Sequence, residues 1–540
     1  MLEAFSGKGL SGPKAARGRA RPAVWNAMAL VASIVVCTCG LGTAQMPAIE
    51  GYNVRHYGAS GDGSRMDTEA VQKAIDACHD AGGGTVYFPA GEYLSGTLFL
   101  KSRVTLYLDS GAVLRGSEKL DDYPATSGGF ESYTNSYTVR SLICAKEVDD
   151  VAIVGRGAIG GRGGAFRGNK YKKRPYLMRF VSCKGVCLKD IRLRNSAMWT
   201  VHFLACEDVV ADGVNIHTRV NSNNDGLDID CCRNVRVANC DIWTGDDAIV
   251  LKSTGFRPTE NVTITNCILS SLCNALKMGT ESNGGFQRIT ISNCVVYDTR
   301  LSGLALEIVD GGVMDGITVS NLAMKNVGCP LFIRLGNRAR PPRADMDRPG
   351  IGTLRNITIS NIEASGAGVV GGSITGLDGH CVENVTLSDL RFTFDGGADA
   401  HERPYAVPEK EKDYPEFKMF GELPAYGLFC RHVRNLTIRN VRLGFDAPDH
   451  RPALICDDVE NLDITQLNAM GTAGHEALVH MRNVRGVFVH GCMLSAAADC
   501  FIALDGAETE RIAITGNSLG AAGELVRLGP DVDRDALRRS

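Results

Sequence analysis

A column of Asn and Asp residues, each following a short strand of alternating apolar residues, recurs along the chain at nearly constant spacing. Asp190, Asp212, Asn239, Asn266, Asn293, Asn321, Asn361 and Asp389 are separated by 22, 27, 27, 27, 28, 40 and 28 residues. After a jump of 51 to Asn440, the beat resumes at 26, 25 and 25 through Gln466, Gly491 and Gly516. Each unit holds strands of about 4 to 6 residues with turns between them, too short for a helical repeat to bury a face. Successive units must therefore stack strand on strand, which is the parallel β-helix, an all-β solenoid. Stacking places Cys240, Cys267 and Cys294 above one another at about 4.8 Å per coil, where small apolar side chains suit an interior ladder. The Asn column reads as amides bonding turn backbone along the stack.

Sixty-two glycines against three tryptophans fit many tight turns. At the N-terminal end, "MDTEAVQKAIDACHDAGGG" predicts a helix capped by Asp67 or Thr68, with Ala70, Val71, Ala74, Ile75 and Cys78 on one face and Gly82 to Gly84 as terminator. Such a helix covers the solenoid's first strand edges, which otherwise template aggregation. The expected organisation is a solenoid over 45–527 with its cap at about 52–115, followed by a polar tail at 528–540. Two charged, Pro-rich loops break the beat, 334–350 and 396–428. In the second, Tyr405, Tyr414, Phe417, Phe420 and Tyr426 predict a segment packed on something, either as a lid over one end of a groove or as a cover on the far side.

Residues 1–44 read as a secretory signal: Lys8, Lys14, Arg17, Arg19 and Arg21 precede an apolar run from Ala27 to Leu41 that closes on "GTAQ". The expected location is secreted or periplasmic, with no membrane span after cleavage, the run being short for a span of about 20 residues. Without the leader the formal charge moves from −3 to −7, and no basic nucleic-acid footprint remains. Of the nineteen cysteines, Cys37 and Cys39 lie in the leader, and the odd number left excludes a complete disulfide framework.

The stretch "NSNNDGLDIDCCRNVRVANCDIWTGDDAIVLKS", 221–253, gathers carboxylates in a strand-rich context. Asp225 and Asp247 are 22 residues apart, one coil, so they share a lateral position with Asp246 beside them. Crowded like charges push their pKa values apart, as an acid and a base require. Asp230 registers with Lys252 on the next coil, which predicts an ion pair across the stack; Lys252 is also close enough to reach a substrate.

"SAMWTVHF" at 196–203, "NNDGLDID" at 223–230 and "GDDAIVLKS" at 245–253 resemble glycoside hydrolase family 28, the polygalacturonases and rhamnogalacturonan hydrolases. The opening from Tyr52 is similar to that family's end cap. The resemblance implies a right-handed parallel β-helix that hydrolyses glycosidic bonds with inversion. It further implies Asp246 as general acid, Asp225 and Asp247 as activators of the attacking water, and Asn224 among the substrate-binding residues. Two departures stand out. "CNALKMGTES" puts Asn274 where the family has a histidine, and "GLALEIVDGG" puts Ala305 and Glu307 where it has the cations of Arg-Ile-Lys. An anion at that subsite repels a galacturonate carboxylate, which implies a neutral sugar or a reversed substrate there. Lys277, Glu281 and Arg334 are further candidates for a rebuilt pocket.

The expected partner is a polysaccharide or oligosaccharide of the pectin class other than plain homogalacturonan, with no cofactor and no metal. Two other readings stay open: a lyase holding calcium on Asp225, Asp246 and Asp247, and a catalytically silent carbohydrate-binding protein.

Overall fold

The computed structural model describes residues 51–538, apart from 127, 401–403, 475–476, 495–497 and 519–521. The expected export leader, 1–44, lies outside the described residues. Among them, no helix is long and apolar enough to cross a membrane.

Each coil contributes one strand to each of three parallel ladders, and the stack is a parallel β-helix. The first ladder runs through Lys184–Lys189, Glu207–Asp212, Arg233–Ala238 and Thr259–Thr265. The second contains Arg192–Arg194, Asn215–Thr218, Asp241–Thr244 and Ile268–Ser271. The third, which carries the site, contains Tyr176–Val181, Val201–Leu204, Leu227–Asp230, Ile249–Ser253 and Leu276–Ser282. Alternate residues of every strand point inward, and Leu227, Ile229, Ile249, Leu251, Leu276 and Met278 are all buried in one continuous core.

The sequence repeat has a backbone cause. Asp190, Asn239, Asn266, Asn293, Asn321, Asn361, Asp389 and Asn440 all have φ between 50° and 58°, the left-handed conformation that turns the chain from the first ladder to the second. That conformation costs most residues about 1–2 kcal/mol, but Asn, Asp and Gly adopt it readily. The amides differ from expectation, because they bond one another and not turn backbone. Asn321 Nδ2 donates to Asn293 Oδ1 at 3.0 Å, and Asn361 Nδ2 to Asn321 Oδ1 at 2.7 Å. Each amide lies directly above its counterpart, so its nearest acceptor is the neighbouring side chain.

Cys240, Cys267 and Cys294 form the interior column, each 1% exposed. All seventeen cysteines among the described residues are free thiols. The capping helix spans Thr68–Asp80, burying Val71, Ala74, Ile75 and Cys78. Asp67 is its N-cap but makes no capping bond; its carboxylate instead accepts from the Ser60 and Gly61 amides at 2.7 and 3.1 Å. The segment expected as a polar tail also differs, since Leu537 and Arg538 pair with Ile512 and Ala513 and Ala536 is buried.

The amide column yields a prediction. Asn321→Ala loses both the ladder bond and the residue type suited to the turn, and lowers stability by about 2 kcal/mol in urea unfolding. Asn321→Gly keeps the turn and recovers about half of that loss.

Candidate active site

The turn entering each strand of the third ladder continues the backbone pairing, so its residues stack as strictly as the strands do. Gly226 N donates to Asp247 O at 2.9 Å, Ala248 N to Asn274 O at 2.9 Å, and Ala275 N to Ser302 O at 3.0 Å. Asp225, Asp247 and Asn274 thus occupy one column. A Cβ at Gly226 would lie 2.3 Å from the Ala248 carbonyl oxygen, which is why glycine follows Asp225. Thr244 Oγ1 and Ser271 Oγ both donate to the Asp246 carbonyl, at 2.5 and 2.6 Å, and fix the half-buried Asp246 beside the column.

The two neighbouring carboxylates have different surroundings. Burial and the adjacent Asp247 charge push Asp246 above the usual carboxylate range. Burial also acts against ionisation of Asp247, but Lys277, Lys252 and Asn274 outweigh it and hold that carboxyl low. Asn274 donates to Asp247 Oδ1 through its backbone N at 3.1 Å and Nδ2 at 2.9 Å, and its own Oδ1 accepts from Ser302 N at 2.9 Å. Burial, with the charges of Asp228 and Asp246, drives Asp225 well up. Asp228 is likewise pushed up, chiefly by burial.

Lys277 is 2% exposed and shares its ammonium among Asp247 at 3.7 Å, Glu307 at 3.6 Å and Glu416 at 3.6 Å. Glu307, fully buried, rises to about 8, burial outweighing Lys277. Lys252 lies 3.1 Å from Glu281 and 3.8 Å from Asp228, with its ammonium 4.8 Å above the Trp199 ring. The register of Asp230 with Lys252 is present, yet the expected ion pair is not formed. Asp230 instead takes His202 Nε2 at 3.1 Å and Thr254 N and Oγ1 at 2.9 and 2.7 Å, closer partners than the long lysine offers. Glu281 also accepts from Arg340 at 2.7 Å.

Two expected substrate contacts are corrected, and the departure at Ala305 is placed. Asn224 is fully buried, with Oδ1 accepting from Asn221 N at 2.7 Å and Nδ2 donating to Ser196 O at 2.6 Å, so it braces the turn. Arg334, 1% exposed, spends its donors on the Gly376 and Glu409 carbonyls at 3.0 and 2.6 Å and anchors the 396–428 segment. Ala305 is sealed in an apolar cluster with Leu301, Phe332 and Phe417 and meets no open groove. Asp225, Asp246, Asp247, Asn274, Lys277, Lys252, Glu281 and Glu307 do converge.

Within the 396–428 segment, residues 404–428 fold onto this face of the solenoid and not the far side. They bring Glu416 3.4 Å from Asn274 Nδ2 and set the Tyr414 ring 5.5 Å from the Lys277 ammonium. Sequence reasoning missed Glu416, and also Arg174, which donates to Ser222 O at 2.6 Å and Asn223 Oδ1 at 2.8 Å behind Asp225. The aromatics of the segment signalled packing, but nothing in its order named the residue that arrives. For a cation, Asp246, Asp247 and Cys273 bring ligand atoms within 4.8 Å of one another. Calcium prefers oxygen ligands, whereas this set includes a thiol that burial keeps protonated, with Lys277 beside Asp247.

The family model for glycosyl hydrolases family 28 matches residues 78–406. A probable polygalacturonase of Vitis vinifera is 30% identical over 365 residues, covering 61% of this chain and 73% of that protein. An exo-poly-alpha-D-galacturonosidase of Dickeya chrysanthemi is 30% identical over 337 residues, covering 51% and 55%. In fold, the chain is similar to a hyperthermoactive exopolygalacturonase from Thermotoga maritima, with a TM-score of 0.55 at 22% identity over 63% of this chain and 86% of that one.

Replacing Asn274 with leucine removes a donor that favours the Asp247 anion. The Asp247 carboxyl, followed by carbon NMR, is expected to titrate about one pH unit higher in Asn274→Leu than in the unsubstituted protein. An unmoved titration would assign its depression to the lysines and the donors that remain.

Proposed function

The chain belongs to glycosyl hydrolases family 28, and on that premise we propose that it hydrolyses, with inversion, a glycosidic bond in a pectin-class polysaccharide. Asp246 is the general acid and Asp247, the carboxyl held low, takes the proton from the attacking water, while Asp225, one coil before it and driven up, helps to orient that water. The observation that carries this reading is the split between neighbours: Asp246 is pushed up while Lys277, Lys252 and Asn274 hold Asp247 down. Over the interval between them one group holds a proton and the other is an anion, as leaving-group protonation and water activation together demand. A silent carbohydrate-binding protein would have no use for that separation. The polygalacturonase relatives support the pectin class.

The groove is closed beyond Lys277. Glu416, Tyr414 and Phe417 fill the side where Ala305 lies, and the lone ammonium already serves three carboxylates. A uronate carboxylate there would find no unshared cation, because Lys277 already serves three carboxyl groups, and this supports a neutral sugar at this end and a substrate other than plain homogalacturonan. The closure favours attack at a chain end over attack in mid-chain. Residues 1–44 support export, placing the enzyme where such polymers are found.

Activity falls on both sides of an optimum: as pH rises through the raised Asp246 value the acid loses its proton, and as pH drops through the lowered Asp247 value the base is neutralised. Asp246→Asn is expected to reduce kcat about 10²–10⁴-fold with the fold intact by circular dichroism. Near-normal turnover in that variant would remove Asp246 from the acid role. A product time course on pectic oligosaccharides tests the closed end. A single small product from the earliest times is expected, and an early ladder of lengths would show that the insert leaves both ends open.

A further inference from the structure

Between Asp150 and Asp190 the chain has no acidic residue but ten basic ones, in a protein whose formal charge is −3. The centre of that run, "RGNKYKKR" at 167–174, forms the loop between Ala158–Gly160 and Tyr176–Val181, the latter two coils before the strand that follows Asp225. It is bolted to the turn that carries Asp225. Arg167 Nε donates to Val220 O at 3.0 Å, and Arg174, 2% exposed, donates to Ser222 O and Asn223 Oδ1 at 2.6 and 2.8 Å.

Arg167, Lys170, Lys172 and Lys173 are exposed. Among the described residues no carboxylate pairs with Lys170, Lys172 or Lys173. Tyr171, 42% exposed in their midst, starts an aromatic row: its ring lies 5.1 Å from Tyr137, which lies 6.0 Å from Trp199, the ring under the Lys252 ammonium. Unpaired cations beside a row of tilted and edge-on rings that leads toward the carboxylates form a rim matched to a chain that carries both anions and flat apolar sugar faces.

We propose that this rim is a docking site for the uronate-bearing part of the substrate, held by Lys170, Lys172 and Lys173 with Tyr171 as stacking platform. The proposal rests on the hydrolase reading above and deepens it: the open end of the groove binds acidic sugars and the closed end beyond Lys277 a neutral one. The substrate is then a mixed polymer, with its cations supplied by a loop in place of the strand positions Ala305 and Glu307.

The test is calorimetric titration of de-esterified and fully methyl-esterified galacturonate oligomers into Asp246→Asn protein, with and without Lys170→Gln, Lys172→Gln and Lys173→Gln together. Affinity for the acidic oligomer is expected to drop about tenfold in the triple variant and to lose most of its salt dependence, while the ester binds both proteins alike. Tyr171→Ala weakens both ligands. Equal affinity of the two proteins for the acidic oligomer, or an equal loss for the ester, overturns the rim. Because binding is read in protein that cannot turn over, those results leave the hydrolase reading standing. Conversely, uronate binding at the rim in a protein whose unsubstituted form cleaves nothing would retain the site and remove the enzyme.

Discussion

The backbone hydrogen bonds that hold each coil on the next are the constraint on which everything else in this molecule depends. They fix the coil spacing near 4.8 Å and leave no freedom of register, since a one-residue slip would turn every core side chain outward. Through the Asp225, Asp247 and Asn274 turns the pairing continues without a break, and the carboxylates are stacked whether or not their charges favour it. The single left-handed residue per corner, with its amide bonded to the one below, keeps the corner from drifting.

Enforced stacking creates an electrostatic cost that the site turns to use. Several carboxylates are packed around two ammonium groups, and burying that many charges is tolerable only with pairing at short range. Pairing is uneven because Lys277 and Asn274 face Asp247 and not Asp246. The imbalance raises one of two otherwise identical side chains and lowers the other, which is the separation the proposed acid and base require. Where the family pattern has a histidine, Asn274 supplies orientation and a donor without a proton of its own to exchange.

The 396–428 segment and the 161–175 loop shape the two ends of the groove in opposite ways. The first brings apolar rings and Glu416 onto the strand positions Ala305 and Lys277, spends Arg334 as an anchor and closes that end. The second keeps its lysines in solvent while its arginines hold the frame. One scaffold thus carries a covered end whose ammonium is already shared and an exposed, basic loop.

The fold was legible in the sequence because its cause is local and repeated: each corner needs a residue tolerant of positive φ, so Asn, Asp and Gly mark the coils. The same period placed Asp225 beneath Asp247 and Asp230 beneath Lys252, since register follows from counting residues per coil. What counting could not give was which side chains meet. Asp230 turned to His202 and Thr254, Lys252 to Glu281 and Asp228, and Asn224 to the backbone, because partners across coils are chosen by side-chain reach and competing donors. Glu416 is 142 residues from Asn274 along the chain. It lies in a segment without period, so only the folded path of that segment, set by Phe417 and the Arg334 anchor, brings it into the site.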